Sequence, residues 1–256
     1  MTTCFFSKKS ELKKEFQNLY KTLFDNSEDY VKVVKILSSK RNGFTRNKIL
    51  KTAKMKSGKR ITKILADLEC SGFIRVYSQP KIKREQIFQL VDAFTLFHFH
   101  FLENNNTKDP KFWTNIVNTS IHNAWAGLSF EIVGLLHTDG IKKKLQVLGV
   151  QSSEYAWRSR KTDEDGQTKG VQIDLLIDRA DNIINLCEIK YSNLPYEITK
   201  DYDLKLRIKI EVFRQETLPR KAIHLLMLTT FGVVQNKYYG IIQNEITIDD
   251  LFTETE

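Results

Sequence analysis

The sequence predicts a two-domain α+β chain. A helix-rich front domain ends in a two-stranded hairpin, and an α/β domain behind it is built on a mixed central sheet. Two observations carry this expectation. Positions 1–105 show apolar residues at helical spacing in four successive stretches, followed by two β-prone runs around a basic turn. Positions 106–256 instead alternate helical stretches with short runs of Ile, Leu and Val. A chain of 256 residues has room for two modest cores.

In the front domain, residues 5–24 place Leu12, Phe16, Leu19, Tyr20 and Leu23 on one helical stripe. A second helix over residues 28–39 follows, with Tyr30, Val33, Val34 and Leu37 inward. Asn42-Gly43 punctuates the chain, and Thr45 is a natural N-cap for a third helix over residues 46–54. Ser57 caps a fourth helix, 57–70, in which Ile61, Ile64, Leu65 and Leu68 repeat before Ser71-Gly72 stops it. Two strands, 73–77 and 86–90, flank the turn Lys81-Ile82-Lys83-Arg84. Three helices followed by a two-stranded wing is the order of a winged helix-turn-helix. Asp92 to Glu103 reads as a buried aromatic linking helix whose His98 and His100 are structural, and Asn104–Thr107 is a polar break where the domain boundary is expected.

Charge follows the same division. Positions 1–109 hold 22 Lys and Arg against 11 Asp and Glu, a balance of +11, whereas positions 110–256 hold 18 against 20, a balance of −2. The front is the part suited to a polyanion. The run GFTRNKILKTAKMKSGKRITKILADLECSGFIRVYS resembles the winged-helix segment that follows the ATP-binding module in archaeal- and bacterial-type AAA-like (STAND-type) ATPases. The residues before it (Leu12, Glu15, Phe16, Leu19, Tyr20, Leu23, Phe24) and after it (Asp92 to Phe97) fit the same resemblance. It implies that helix 57–70 is a recognition helix, with Lys59, Arg60 and Lys63 reaching DNA and Lys81, Lys83 and Arg84 flanking the duplex. Winged helices also dock on proteins, their charges merely solvated, and the residues leave both roles open.

In the back domain, a helix containing Phe112, Trp113, Ile116 and Val117 is followed by a second, 126–136, which carries Glu131. After a break at Asp139-Gly140 it resumes over 141–148. Residues 153–160 read as a strand, with Trp157 more apt for the core than for a cleft shared with Arg158 and Arg160. Around the turn Asp181-Asn182, two apolar runs form a hairpin carrying Asp174 on one strand and Glu188 and Lys190 on the other. Alternation sets Glu188 and Lys190 on one face, a costly pair in so apolar a segment unless they act together. A charged helix over 197–216, an apolar strand over 222–229, a strand over 238–242 and a closing helix over 245–252 complete the chain.

The order helix with Glu, strand, strand with Asp, strand with Glu-x-Lys, helix, strand resembles the core of the PD-(D/E)xK superfamily, the restriction-endonuclease-like fold. Glu131, Asp174, Glu188 and Lys190 carry that resemblance. The segments FE, QIDLLI and CEIKYS are also similar to the C-terminal domain of the same ATPases. The resemblance implies a Mg²⁺ or Mn²⁺ ion held by Asp174 and Glu188, with Glu131 on a metal-bound water or second ion and Lys190 orienting or deprotonating the attacking water. Ile173 stands where the family often has proline. Such domains act as nucleases or persist as binding platforms, and both remain open.

Other chemistries find no support. Gly58-Lys59 is followed by Arg60 and lacks the upstream glycine of a phosphate-binding loop, so an ATPase partner would act in cis from a longer chain or in trans. No Ser occupies a nucleophile elbow. Cys4, Cys70 and Cys187 have no metal-binding spacing and suggest a reducing compartment. The absence of a long apolar run and of a signal-peptide core gives the expectation of a cytoplasmic protein without a membrane partner.

Overall fold

The computed structural model describes residues 5–6, 12, 15–78, 86–103, 109, 111–159 and 170–253. The chain divides into two compact units, Met1–Trp125 and Ala126–Glu256.

The first unit begins with α1 (Glu15–Leu23) and α2 (Ser27–Ser38), followed by β1 (Phe44–Thr45), α3 (Arg46–Ala53) and α4 (Lys59–Cys70). Strands β2 (Ile74–Ser78) and β3 (Gln86–Leu90) follow. The expected stripes of α2 and α4 are buried with Phe16, Tyr20, Ile49 and Phe73 in one core. Each such aliphatic side chain contributes roughly 1.5–3 kcal/mol through burial. Thr45 caps α3 as expected, its hydroxyl accepting from the Lys48 amide at 3.3 Å. At α4 the expected Ser57 cap is replaced. Gly58 precedes the helix without a side-chain cap, and Arg46 reaches across to Ser57 Oγ, the Gly58 carbonyl and Thr62 Oγ1 at 3.2–3.3 Å. The sheet order is β1-β3-β2, all antiparallel. Strand β1 was not foreseen, being two residues long.

The linking helix divides into α5 (Ala93–Phe97) and a π-helical turn, His98–Leu102. His98 stacks on Phe16 with ring centroids 3.7 Å apart, and burial pushes its imidazole pKa down, in keeping with a structural role. The units divide after Trp125. Phe97 and Phe101 hold Trp113 and Trp125 at ring distances of 5.2–5.7 Å, which keeps α6 (Phe112–Ile116) with the front. The polar residues 104–107 lie outside the described residues.

The division falls within α7 (Ser120–Leu136), which starts earlier than expected. It ends at His137, and α8 (Thr138–Lys144) contains Asp139 and Gly140 instead of breaking there. A Cβ at Gly140 would lie 2.6 Å from the Leu251 carbonyl oxygen, so this glycine serves a close approach, not a stop. Strands β4 (Ser152–Arg158), β5 (Gln172–Arg179) and β6 (Ile183–Lys190), helix α9 (Lys200–Thr217), and strands β7 (Ala222–Thr229) and β8 (Asn244–Thr247) build the second unit. The sheet runs β4-β5-β6-β7-β8, antiparallel through β6 and parallel from β6 to β8, with α9 as the crossover between β6 and β7.

Two C-terminal expectations are corrected. Residues 238–242 contain a 3-10 turn, Tyr239–Ile241, and the strand lies at β8, where a closing helix was expected. Ile246 is fully buried there, and a 3-10 turn, Asp249–Leu251, follows.

Both faces of the larger sheet are covered. On one, Phe130 and Leu135 of α7 and Ile141 of α8 pack with Leu175, Ile177, Cys187, Ile189, Leu226 and Leu228. On the other lies α9, whose Phe213 meets Trp157 edge-on at 5.1 Å. Trp157 is buried, as a core role requires, and Arg158 is exposed.

Candidate functional site

On the first unit, α4 begins at Lys59, which is exposed. Arg60, 67% exposed, pairs with Asp29 of α2. Lys63, 73% exposed, pairs with Asp67 at 2.7 Å, and Asp67 also accepts from Tyr30 Oη at 2.5 Å. Two of the three predicted contact residues are thus matched to acids, through exposed pairs weak enough for a phosphate to displace. Lys81, Lys83 and Arg84 lie outside the described residues.

In the second unit, the apolar alternation of β6 sends Cys187 and Ile189 toward α7 and Glu188 and Lys190 toward α9. Glu188 is only 5% exposed, and both its oxygens are engaged. Oε1 accepts from Tyr202 Oη at 2.6 Å and lies 2.9 Å from Lys190 Nζ. Oε2 accepts from Lys209 Nζ at 2.5 Å. Tyr202 and Lys209 both come from α9, seven residues apart and so on one face of the helix. Lys190 Nζ also lies 5.5 Å from the centre of the Tyr202 ring, which meets Tyr196 at 5.5 Å.

Burial opposes ionisation of Glu188, but Lys209 and then Lys190 outweigh it, holding the carboxyl below its ordinary pKa. Burial and the adjacent carboxylate push the Tyr202 phenol up, so it stays protonated and donates. The result is a buried acid between two ammonium groups, with one net positive charge.

Of the predicted centre, the structure brings together Glu188 and Lys190. A register shift between β4 and β5 lies beside Asp174. Tyr155 pairs with Leu176 and Trp157 with Ile173, so two steps on β4 match three on β5, and the extra residue falls at Asp174 and Leu175. The paired register of β5 with β6 ends at Leu175 and Cys187, just short of Asp174 and Glu188. Asp174 accepts a hydrogen bond from Gln172 Nε2 at 2.6 Å. Glu131 is buried on α7. Among the described residues, no three His, Cys, Asp or Glu side chains gather as a metal site.

Sequence reasoning missed Tyr202, Lys209 and Arg46. The spacing of Tyr202 and Lys209 on a helix that follows a strand with a buried acid was the available signal. Nothing in the local pattern marks Arg46 as a clasp for the next helix. No helix among the described residues is long and apolar enough to cross a membrane. No protein-family model, curated protein or solved structure matches the chain.

Proposed function

We propose that this is a duplex-DNA-binding protein whose first unit docks as a winged helix. The observation carrying this reading is the order α2-β1-α3-α4-β2-β3 closed by the sheet β1-β3-β2. That order presents α4, with Lys59, Arg60 and Lys63, after a turn clasped by Arg46. The balance of +11 over positions 1–109 supplies the field that draws a polyanion to that helix. The test is fluorescence anisotropy of the full chain on a labelled duplex at several salt concentrations. Lys59→Ala/Arg60→Ala/Lys63→Ala is expected to weaken binding at least tenfold. It should also lower the slope of log K against log salt by about two to three, near 0.9 per phosphate contact. Unchanged affinity and slope would shift the role of this unit to docking on a protein, such as an ATPase module.

A second reading, a metal-dependent nuclease, is favoured by one observation. Glu188 and Lys190 touch at the end of the central strand of a five-stranded mixed sheet, which supports a likeness to PD-(D/E)xK proteins. A bound Mg²⁺ or Mn²⁺ would offset phosphate charge and acidify water. In the present arrangement the residues do not fit such an ion. Both Glu188 oxygens are engaged by protein donors, and the Asp174 carboxylate accepts from Gln172. Glu131 stands on α7. The expected outcome is no Mg²⁺- or Mn²⁺-dependent nicking of duplex, single-stranded or branched DNA. Nicking that disappears in Lys190→Ala, with duplex binding intact, would establish the nuclease reading instead.

A further inference from the structure

The cations of α4 differ in what surrounds them. Lys59 is exposed, while Arg60 is paired with Asp29 of α2 and Lys63 with Asp67 one helical turn on. Asp29, Tyr30, Arg60 and Lys63 line one recess between α2 and α4. In each pair the acid is the better anchored partner. Asp29 is 23% exposed against 67% for Arg60, and Asp67 is 30% exposed against 73% for Lys63. Asp29 lies in the first turn of α2, where the amides of a helix start favour a negative charge. Asp67 accepts at 2.5 Å from the hydroxyl of Tyr30, whose ring belongs to the core. Lys63 and then Tyr30 hold the Asp67 carboxyl below its ordinary pKa, so it is ionised at neutral pH.

We infer that Asp29 and Asp67 are specificity-determining counter-charges, which hold Arg60 and Lys63 in the free protein and compete with DNA phosphate for them. The inference rests on docking of duplex DNA by α4. A phosphate reaching Arg60 or Lys63 must displace a carboxylate already there. The carboxylate, fixed from behind, stays close enough to repel it. Each exposed pair is weak, so the exchange takes place, but it removes part of what a bare cation would gain from the backbone. That loss falls on every duplex alike. Tight binding then requires base-edge contacts in addition to phosphate contacts, which is how a repulsive element favours specific over indiscriminate binding.

The experiment measures the affinity of the full chain for several labelled duplexes of unrelated sequence, by fluorescence anisotropy at fixed salt. Asp29→Asn and Asp67→Asn remove charge but keep shape. Each is expected to tighten binding about threefold, and both together roughly tenfold, alike on every duplex. Glu69→Gln removes an exposed acid of the same helix and measures the general effect of one negative charge, expected to be less than about twofold. The gain from Asp67→Asn should fall to that level in a Lys63→Ala chain. The gain from Asp29→Asn should do the same in an Arg60→Ala chain.

Gains no larger than that of Glu69→Gln, gains that persist when the cation is removed, or a gain confined to one duplex would overturn the inference. The two pairs are tested separately, so if one variant fails to fold the other decides. If Lys59→Ala/Arg60→Ala/Lys63→Ala weakens binding while the acid variants change nothing, α4 docks on DNA without this restraint. If no chain binds duplex, docking on DNA fails and the inference fails with it.

Discussion

Glu188→Gln is expected to destabilise the second unit by about 2–3 kcal/mol, read as a lower urea midpoint at unchanged slope. Removing one partner of a fully buried ion pair costs about 3–5 kcal/mol, because the remaining charge is left uncompensated. Here Lys190 and Lys209 are left behind, but at 34% and 20% exposure both keep some access to water, which brings the cost below that range. The same geometry fixes a pH dependence. The folded-state pKa of Glu188 lies below its ordinary value of 4.5, so the ionised form is the one the fold favours. Its contribution is complete above pH 4.5 and is lost as pH falls through the depressed folded-state value. Wild type should therefore lose stability on acidification below pH 4.5 more steeply than Glu188→Gln, which lacks this titrating group.

Gly43→Ala is expected to cost the first unit about 3 kcal/mol or more, a sizeable part of the 5–15 kcal/mol that holds a typical domain together. Gly43 has φ +72°, and an added Cβ would lie 2.2 Å from the Phe88 carbonyl oxygen and 2.9 Å from Gln89 Cα. Both obstacles are backbone of β3, which cannot swing aside as a side chain would. The left-handed conformation alone costs a non-glycine residue about 1–2 kcal/mol, and the overlap would push β1 off β3. Gly149→Ala is the control: it has no neighbour within 4 Å of the added Cβ, and its expected change stays within about 0.5 kcal/mol. Thermal melts of the two variants check the contrast, and equal melting temperatures would contradict it.

Local pattern carried much of this fold. The stripes of α2 and α4, the Thr45 cap, the hairpin at Asp181-Asn182 and the shared face of Glu188 and Lys190 all follow from periods of 3.6 or 2 and from turn chemistry. What escaped depends on partners distant along the chain. Strand β1 is two residues long and exists because β3 pairs with it, and β8 is a strand because β7 offers it a parallel edge. Residues 245–252 read as a closing helix, yet Asp250 accepts from the Thr247 amide and hydroxyl. The register shift between β4 and β5 beside Asp174 was likewise invisible in composition. Lys209 left only its helical spacing from Tyr202 as a signal, since nothing near it in sequence says which strand α9 will cover.

The aromatic packing that keeps α6 with the front unit has an optical consequence. The three tryptophans are distributed so that Trp113 and Trp125 sit among Phe97 and Phe101, while Trp157 lies alone against Phe213. Excited at the red edge of indole absorption, a Trp157→Phe chain emits from the first unit alone. A Trp113→Phe/Trp125→Phe chain emits from the second. Denaturation of either half can thus be followed by its own intrinsic light within the intact polypeptide.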